Sequence, residues 1–508
     1  MGVPLCNANL QQIAEAGLAQ IPQYDRSQLK SGVVHLGPSH FGRGHVLRYL
    51  DDIAKTDPKW GVTMVGLISS GVRDALADQD YLYTLKEQDG KTNPTRVIGC
   101  IKDMIVAREE PQKVLDVLSS HETKLVTMTV TEKGYGHDPK TGTLDFDRDD
   151  IKKCLNSLDE PNTAIGYLVA ALERRMNSGA PPLTIISCDN IEANGIVLRN
   201  VVLAYAAEKS AHLRKYIENN VAFPSTMVDR IVPTTTDQQK DFSMAAGHIS
   251  DKWPVQTEEF MQWVIEDNFA GEMPDLDAVG ATITPDVNPF KAMKMRMLNG
   301  GHMAVGTLGK LAGYDRVHEA MGNETIRQFV SAFMSEVSDT LTPISNVDFT
   351  FYKELLIRRL ENPALNDENS RVVRNATLSK IKPRALDAAE SAIAKETSYN
   401  HVAFVTAAWI HYLKGTDDNK AEFDINDVHA VESGLQQVAR NSNGNPNPVI
   451  AMSGAFSSGL QSHKGFMDTV TMHLHNIQQH GVVGAIERVN QQTRAPQVQM
   501  AASMTYTR

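Results

Sequence analysis

The sequence has few cysteines and no long apolar run. Its four cysteines, spread over 508 residues, form no Cys-x-x-Cys pair, so they indicate neither a disulfide framework nor a cysteine-based zinc site. No apolar run approaches the length of about 18 residues that a membrane-spanning helix needs, and the first residues lack the pattern of a secretory signal. We therefore expect a soluble protein of the cytoplasm.

Clusters of positive charge are also missing. Acidic residues outnumber basic ones, giving a formal net charge of −11, and no block of lysines and arginines interrupts this excess. We therefore expect neither a nucleic acid nor a membrane surface as a partner. The histidines show no zinc-ligand spacing, since His473 and His475 would diverge by roughly 200° on a helix. The sequence accordingly predicts no metal site.

What the chain does contain is enough apolar sequence for more than one domain. Hydrophobic residues make up 42% of its 508 residues, which exceeds what one ordinary core holds, so two or three domains are expected. Up to about residue 285, strand-like runs alternate with helical patterns. The predicted strands are residues 32–36, 62–68, 96–98, 125–131 and 183–187. This alternation predicts an α/β fold with a doubly wound, mostly parallel sheet.

The pattern changes after residue 285. The later segments have helical periodicity and no convincing strand. They are residues 290–313, 315–321, 324–341, 350–361, 384–396, 401–414, 427–440 and 464–480. We therefore predict an α/β domain at residues 1–285 and a mostly α-helical domain at residues 286–508. Within the latter, residues 491–508 are polar and poor in large apolar side chains, which predicts a flexible tail.

A glycine-containing loop follows the first predicted strand and leads into a helix. This order opens a βαβ unit, in which the amides at the helix N-terminus can hold a pyrophosphate. The loop departs from the G-x-G-x-x-G pattern because Ser39 replaces the second glycine, although a small hydroxyl side chain could itself bond a phosphate. The pattern predicts a Rossmann-like dinucleotide site, with an ordinary turn as the alternative. Its cofactor-binding residues would be Gly37, Pro38, Ser39, His40, Phe41, Gly42 and Arg43.

Polar residues also follow the strand predicted at 183–187. Asn190 and Asn194 come directly after it, at the edge where doubly wound sheets bind ligands. Capping of the strand end is the alternative, because Asx turns are common there. Farther along, Asp229 and Arg230 are neighbours in sequence, and the simplest interpretation of such a pair is a surface ion pair.

The second half of the chain begins with three polar side chains in an apolar helical pattern. At about 100° per residue, Asn299 falls about 140° and His302 about 80° from Lys294, so all three lie on one half of a regular helix. Gly300 and Gly301 each weaken a helix by roughly 1 kcal/mol, but they allow another group to approach the backbone closely. The alternative is a lysine that extends to solvent and a histidine that packs in the core.

Taken together, these motifs resemble those of the polyol-specific long-chain dehydrogenases, a family best known from mannitol 2-dehydrogenase. The resemblance spans roughly residues 30 to 480 in the family's order. The matching stretches are Gly37–His45, Gln79–Leu85, Thr131–Tyr135, Ser187–Asn190 with Asn194 and Gly195, Phe223–Pro233 and Lys294–His302. The resemblance implies a zinc-independent enzyme that interconverts a polyol and its ketose with a nicotinamide cofactor.

The resemblance also implies roles for single residues. Lys294 would be the general base, and Asn190 and Asn299 would stabilise the oxyanion. His302 would hydrogen-bond the reacting region of the substrate, and Asp229 would lie near the nicotinamide and the substrate. A free lysine, with a pKa of about 10.4, becomes an effective base at neutral pH only when burial or a neighbouring cation lowers that value. We expect catalysis in a cleft between the two domains.

One departure from the family concerns the cofactor. The family often carries an acidic residue after the second strand, where it bonds the adenosine ribose and repels a 2′-phosphate. This chain has Ser69 and Ser70 there, followed by Arg73. We expect Ser69 to contact the cofactor, with NAD or NADP accepted. Arg73 would favour a phosphate if it faces the site, whereas it would point to solvent if it only begins the next helix.

A second departure concerns the substrate. Arg371 matches the family's substrate-binding stretch, but Ser379 stands at the position of its lysine and Lys380 is displaced by one. We expect Arg371 and Lys380 to bind the substrate, D-mannitol or D-fructose, in a monomer or small homo-oligomer. Arabinitol, a uronate (fructuronate or tagaturonate) and mannitol 1-phosphate are alternatives, because Arg374 and these two residues could meet an anion. A catalytically silent dinucleotide sensor is the alternative from a different class.

Overall fold

The computed structural model describes residues 2–88, 94–138, 141–156, 160–243 and 248–504, without the side chains of 242, 378, 379 and 490–504. The chain divides into two compact units, Met1–Val287 and Asn288–Arg508. The first unit contains sheets and helices, and the second is built of helices throughout its described part. No helix within the described ranges is both long and apolar enough to cross a membrane.

A parallel sheet forms the centre of the first unit. Its strands in chain order are β1 (Val33–Leu36), β2 (Val62–Gly66), β3 (Ile101–Val106), β4 (Leu125–Met128), β5 (Leu183–Ser187) and β6 (Val221–Ala222). Their spatial order is 3-2-1-4-5-6, and every neighbouring pair is parallel. This is the strand order of the doubly wound dinucleotide-binding fold, so the predicted fold class is confirmed.

Apolar packing covers both faces of this sheet. In β1, Val34 contributes to one core cluster and Val33 to the other, as the alternation of side chains along a strand requires. Helices Ala164–Ser178 and Asn194–Lys209 pack in the first cluster, and helix Leu47–Ala54 packs in the second. Strands that are buried on both faces read as continuous apolar runs, which is why most of them could be predicted.

Smaller sheets complete the first unit. A two-stranded sheet pairs Val3–Pro4 with Ile249–Ser250. A three-stranded sheet has Tyr83–Gln88 between Thr95–Ile98 and Val255–Glu258. Another three-stranded sheet has Gln262–Glu266 between Thr226–Asp229 and Thr282–Thr284. The strand predicted at residues 96–98 therefore lies outside the central sheet, whose edge is formed by β3 instead. The remaining α-helices of this unit are Leu10–Glu15, Gly71–Ala77, Pro111–Ser119, Asp149–Asn156, Ala211–Asn220 and Asp237–Ser243.

Helices of the second unit surround the nearly fully buried helix Gly300–Leu311. The others are Asn288–Met293, Val317–Met321, Glu324–Ser338, Phe349–Glu361, Asn369–Val373, Ala376–Ser379, Asp387–Ala394, Asn400–Tyr412, Val428–Glu432, Leu435–Asn441, Asn447–Ser453, Ser458–Ser462 and Lys464–Met504. The last helix is kinked at Gly481 and has helical backbone to Met504. Residues 505–508, the end of the segment predicted as a flexible tail, lie outside the described residues, and that tail stays a prediction.

Three π-turns occur in the described chain, at Gly42–Val46, Lys294–Asn299 and Lys382–Leu386. π-turns are rare, and they are frequent at functional sites. The first begins within the predicted cofactor loop, and the second begins at the predicted base. The third begins two residues after Lys380, a predicted substrate-binding residue. These three π-turns therefore lie within or next to stretches that the sequence marks as functional.

Candidate active site

The loop after β1 lies where the strand order of the central sheet reverses. β1 pairs with β2 on one side and with β4 on the other. The crevice at the carboxyl ends of β1 and β4 is therefore the topological switch point, where doubly wound sheets bind their ligands. The predicted cofactor loop, Gly37–Arg43, begins at this crevice.

Gly37 and Ser39 fix this loop against the end of β4. Gly37 has a φ of 97°, and a Cβ at this position would lie 2.3 Å from the carbonyl oxygen of Thr129. Only glycine is therefore accommodated. The Ser39 hydroxyl donates to Oγ1 of Thr129 at 2.9 Å and accepts from the amide of Gly42 at 2.9 Å. Ser39 thus serves as a cap and a cross-link, and its hydroxyl is already used within the protein.

The main-chain amides of this loop fit a pyrophosphate better than the Ser39 hydroxyl does. The first turn of a helix leaves N–H groups without partners inside the helix. Ser39 takes the amide of Gly42, whereas no hydrogen bond found among the described residues uses the amides of His40 and Phe41. Free amides at the N-terminus of a helix form an anion-binding site. The loop therefore fits the dinucleotide that the sequence predicts for it.

His35, which the sequence analysis does not assign to the site, supports the loop from below. Its Nε2 lies 3.0 Å from the carbonyl oxygen of Gly37 and 3.0 Å from Oγ1 of Thr129, and its Nδ1 lies 2.8 Å from Oγ1 of Thr127. Complete burial lowers the pKa of His35 to about 4, so the imidazole is neutral at neutral pH. The only sequence signal for this role is a histidine inside an apolar strand.

The end of β2 carries the second part of the predicted cofactor site. Ser69 follows this strand, and its hydroxyl accepts from the amide of Gly71 at 3.3 Å. Arg73 lies in the following helix and forms ion pairs with Asp74 at 2.7 Å and with Glu109 at 2.6 Å. Its guanidinium is therefore engaged by two carboxylates. This supports the interpretation that Arg73 only begins the next helix and does not face the cofactor site.

Asp189 links the carboxyl ends of β4 and β5 next to the predicted catalytic amide of Asn190. Its carboxylate accepts hydrogen bonds from the amides of Val130 (3.0 Å) and Thr131 (2.9 Å) and from the hydroxyl of Tyr135 (2.8 Å). Asn190 is exposed at this edge of the sheet. A residue held by three hydrogen bonds thus precedes Asn190 and limits the positions that its backbone can adopt.

Asn194 and Asp229 are connected through the strand Thr226–Asp229, which belongs to one of the smaller sheets. Asn194 is buried, and its side chain bonds both the main chain and the side chain of Thr226, so it is structural. Asp229 is also buried, at the end of the strand that begins at Thr226. Arg230 pairs with Glu87 at 2.6 Å and is buried, so a surface pair between Asp229 and Arg230 is not present.

In the second unit, Lys294 and Asn299 are the first and last residues of a π-turn. A regular α-helix would place them about 140° apart. A π-turn instead joins residues five apart by its hydrogen bonds, so its first and last residues lie nearly above each other. The prediction of a helix through Lys294 is confirmed, but the turn there is a π-turn, so the regular spacing of 100° per residue does not hold and Lys294 and Asn299 are closer around the helix axis than predicted. Both residues are half-buried.

The close approach expected at Gly300 and Gly301 is made by the protein's own helices. A Cβ on Gly300 would lie 2.6 Å from the carbonyl oxygen of Arg384, and a Cβ on Gly301 would lie 2.2 Å from Cε of Met334. Gly300 therefore lets the π-turn Lys382–Leu386 pack directly against the start of helix Gly300–Leu311, and Gly301 makes room there for the side chain of Met334 from helix Glu324–Ser338.

His302 lies in a cationic environment. Its pKa is lowered to about 4, mainly by burial. The carboxylate of Asp367 acts to raise the pKa, whereas the charges of Arg359, Arg371 and Arg384 act to lower it. The imidazole is therefore neutral at neutral pH. It can donate a hydrogen bond through one nitrogen and accept one through the other, as expected of a group that holds a substrate hydroxyl.

Arg371 and Lys380, the two predicted substrate-binding residues, differ in their partners. Arg371 is exposed and pairs with Asp367 at 2.6 Å. Burial, together with the charges of Arg384, Arg374 and Arg371, lowers the pKa of Lys380 to about 8. Across the described ranges, no group of three histidine, cysteine, aspartate or glutamate side chains is arranged to hold a metal ion.

Comparison with known proteins places both units in one family. The mannitol dehydrogenase Rossmann domain matches residues 31–278, and the mannitol dehydrogenase C-terminal domain matches residues 286–478. The chain belongs to the mannitol dehydrogenase family. The resemblance stated from the motifs is thereby confirmed, and the protein is an oxidoreductase of the dehydrogenase type.

Relatives and solved structures share this similarity over nearly the whole chain. Mannitol 2-dehydrogenase of Aspergillus fumigatus is 36% identical over 497 residues, which cover 95% of this chain and 98% of that protein. Mannitol dehydrogenase DSF1 of Saccharomyces cerevisiae is 34% identical over 476 residues, covering 92% and 94%. Pseudomonas fluorescens mannitol 2-dehydrogenase, in a ternary complex with NAD and D-mannitol, has a TM-score of 0.79 at 33% identity, covering 96% and 100%. A D-sorbitol dehydrogenase in substrate-free form has a TM-score of 0.88 at 29% identity, with the same coverage.

Proposed function

We propose that this protein is a polyol 2-dehydrogenase that interconverts D-mannitol and D-fructose with NAD or NADP. The observation that carries the proposal is the π-turn Lys294–Asn299, because it supplies an amine and an amide from one helical turn in a mannitol dehydrogenase C-terminal domain. Relatives named mannitol 2-dehydrogenase, and a similar structure that holds NAD and D-mannitol, support a hexitol as the substrate.

Lys294 acts as the general base in this proposal. Oxidation at C2 removes a proton from the hydroxyl oxygen and a hydride from the carbon. The neutral amine of Lys294 accepts the proton and becomes an ammonium group, which returns the proton when the ketose is reduced. The nicotinamide ring, when bound, accepts the hydride. A positioned base of this kind contributes roughly 10²–10⁴-fold to the rate.

Asn190 and Asn299 stabilise the charge that develops on the reacting oxygen. Their amide N–H groups donate to this oxygen more strongly as it becomes alkoxide-like, and such donors contribute about 3 kcal/mol each in comparable oxyanion sites. His302, which is neutral because its pKa is lowered to about 4, bonds a neighbouring hydroxyl without adding a positive charge beside the base. Asp229, Arg371 and Lys380 bind the remaining polar groups of the substrate.

A second candidate substrate is D-sorbitol. The similarity to a D-sorbitol dehydrogenase favours it, with a TM-score of 0.88. D-sorbitol and D-mannitol differ only in configuration at C2, and oxidation of that carbon converts both into D-fructose. The two candidates therefore share one reaction and differ in the face of the ketose that receives the hydride.

Reduction of D-fructose by the purified protein tests the proposal. We expect oxidation of NADH or NADPH and formation of D-mannitol, identified by chromatography against both hexitols. Formation of D-sorbitol would establish the second candidate and exclude the first. Fructuronate, tagaturonate and fructose 6-phosphate, together with oxidation of arabinitol and mannitol 1-phosphate, test the related substrates. Failure to turn over any of them with either cofactor would overturn the proposal in favour of a dinucleotide sensor.

The cofactor, the location and the assembly of the protein are also part of this proposal. NAD is supported by the complex of the similar mannitol 2-dehydrogenase. NADP is supported by the serines that follow β2, where the family often carries an acid. We propose a cytoplasmic monomer or small homo-oligomer, which size-exclusion chromatography with light scattering tests.

A further inference from the structure

Trp253 lies beside the loop that follows β2. A Cβ on Gly71 would be 3.7 Å from Cη2 and Cζ3 of the indole, and 3.6 Å from Oγ of Ser69. In doubly wound folds, this loop carries the residues that bind the adenosine ribose of the dinucleotide. The edge of the indole is therefore next to the adenosine end of the proposed cofactor site.

Hydrogen bonds hold Trp253 against the cofactor loop. Its indole Nε1 donates to Nε2 of His40 at 3.4 Å, and its carbonyl oxygen accepts from Nη1 of Arg43 at 3.0 Å. Its amide donates to the buried carboxylate of Asp251 at 2.9 Å, and that carboxylate also accepts from the amide of Thr84 at 2.6 Å. Trp253 is thus held by the cofactor loop and, through Asp251, by the strand Tyr83–Gln88.

Lys240 lies on the face of this indole. Its Nζ is 4.1 Å from the centroid of the ring, an attractive cation–π distance. The side chain is 24% exposed, and its carboxylate partner, Asp237 at 3.3 Å, is 96% exposed. Because an ion pair with so exposed a partner is weak, the charge of Lys240 remains available to an anion that reaches the indole.

Arg43 adds a second cation at the same ring. Its guanidinium lies 6.0 Å from the centroid of Trp253, and its buried Nε and Nη2 have no hydrogen-bond partner among the described residues. Burial, together with the charges of Arg43 and Lys240, lowers the pKa of His40 to about 4, so both cations act at this place while His40 stays neutral. Arg73, in contrast, has two carboxylate partners, Asp74 at 2.7 Å and Glu109 at 2.6 Å, and both are less exposed than Asp237.

We infer that Lys240, held on the face of Trp253, recognises the 2′-phosphate of NADP. Lys240 provides the positive charge, the Ser69 hydroxyl provides a hydrogen bond, and the indole provides an apolar surface beside the nucleoside. NADP is then accepted through Lys240 and not through Arg73. The inference rests on the proposed function in one respect only, namely that this loop is a cofactor site.

Binding of two nucleotides that differ only in the 2′-phosphate tests this inference. The affinities of 2′,5′-ADP and 5′-AMP are measured by calorimetry for the unaltered protein, Lys240→Met and the control Arg73→Met. We expect 2′,5′-ADP to bind about 10- to 100-fold more tightly than 5′-AMP, because hydrogen bonds between charged groups have this strength. Lys240→Met should reduce the advantage to under about 3-fold, whereas Arg73→Met should retain it.

Three results would overturn the inference: no advantage in the unaltered protein, an advantage that survives Lys240→Met, or its loss in Arg73→Met. These measurements need no turnover. Absence of polyol oxidation would therefore contradict the proposed function but not the recognition of the 2′-phosphate. Equal binding of 2′,5′-ADP and 5′-AMP would contradict the recognition of the phosphate but not the proposed function.

Replacement of Trp253 separates its role from that of Lys240. Trp253→Leu should weaken 2′,5′-ADP and 5′-AMP about equally, because the apolar surface serves both nucleosides, whereas Trp253→Phe should restore most of the affinity for both. Thermal melting shows whether each variant is folded. If Trp253→Leu is not folded, the affinities of Trp253→Phe are used for the test. An unchanged affinity for both nucleotides in a folded Trp253→Leu variant would exclude the indole from the site.

Discussion

The two units of this dehydrogenase hold their polar groups in different ways. In the first unit, the loop after β1 is fixed by hydrogen bonds among neutral groups, those of His35, Ser39 and Thr129. In the second unit, burial and nearby arginines lower the pKa of His302 and of Lys380. The first arrangement fixes the geometry of a loop, and the second adds positive charges that contribute to the lowered proton affinity of its groups.

This difference corresponds to the two tasks of a dehydrogenase. A cofactor loop has to hold a nucleotide in one place, which requires a rigid backbone with amides directed at the phosphates. Catalytic groups have to accept and return a proton, which requires pKa values near the working pH. We therefore expect changes at Asn190 and at the proposed catalytic residues of the second unit to act mainly on kcat, and changes in the cofactor loop of the first unit to act mainly on stability and on cofactor affinity.

The largest expected effect is that of Lys294→Ala. It should lower kcat by about 10²–10⁴-fold and leave cofactor affinity nearly unchanged, because it removes the base and leaves the cofactor loop intact. The control is Lys310→Ala, whose lysine pairs with Asp315 at 3.0 Å and lies 5.4 Å from the centroid of the Phe423 ring. Steady-state kinetics measure kcat and the KM for the cofactor in each variant. A Lys294→Ala enzyme that keeps more than a tenth of the rate would show that another group is the base.

The next largest effect is expected for Asn190→Ala and Asn299→Ala. Each should slow the chemical step by about 10²–10³-fold and weaken substrate binding much less, because the lost hydrogen bonds are strongest in the transition state. The measurement is kcat and KM for the polyol, together with the primary deuterium isotope effect on C2, which should increase. If only KM rises, the amides merely hold the substrate.

His35 should make the first unit sensitive to acid. Its pKa of about 4 in the folded protein lies below the ordinary value of 6.5, so the unfolded chain binds more protons between these values. The stabilisation is fully present above pH 6.5 and is lost as the pH falls towards 4. This one group should cost about 2 kcal/mol between pH 7 and pH 5.

Urea unfolding at pH 7 and pH 5 measures this loss. His35→Gln, which retains hydrogen-bonding groups and has no titrating ring, should lose about 2 kcal/mol less than the unaltered protein over the same interval. Equal losses in the two proteins would show that His35 does not titrate as its burial predicts.

The smallest expected effect is that of Ser39→Ala. Loss of a helix cap costs about 1 kcal/mol, which corresponds to a fall in Tm of about 2–4 °C for a unit of this size. The KM for the cofactor should rise with it, while kcat stays nearly constant. Ser119→Ala is the matched control, because its hydroxyl bonds only a carbonyl oxygen of its own helix. A fall in kcat alone would contradict the division between the units.

Strands buried on both faces could be predicted, and others could not. β1, β2, β4 and β5 are continuous apolar runs, the pattern that burial on both faces demands. β3 was missed because Lys102 and Asp103 interrupt its apolar pattern. The strand at Thr95–Ile98 was predicted as a further strand of the sheet, but the partner that a strand chooses depends on residues far away in the sequence.

The candidate site was predictable where a motif defines it and not where distant contacts do. The sequence marked the cofactor loop and Lys294, but the regular helix it predicts there is interrupted by a π-turn, which no local propensity reveals. The sequence places Asp189 at the end of a strand but gives it no role, because that role depends on Tyr135, which lies 54 positions earlier. Lys240 has no sequence signal either, since its contact with the ring of Trp253, 13 positions later, depends on how the chain between them folds.

Chemical rescue of Lys294→Ala tests the central claim most directly. In the proposed mechanism, the neutral amine of Lys294 accepts the proton. Small primary amines added to the variant should therefore restore polyol oxidation in proportion to the concentration of their unprotonated form. The same amines should not accelerate Asn299→Ala, which still has its base. If no amine restores activity to a folded Lys294→Ala protein that still binds its cofactor, Lys294 does not transfer the proton, and the proposed mechanism is wrong.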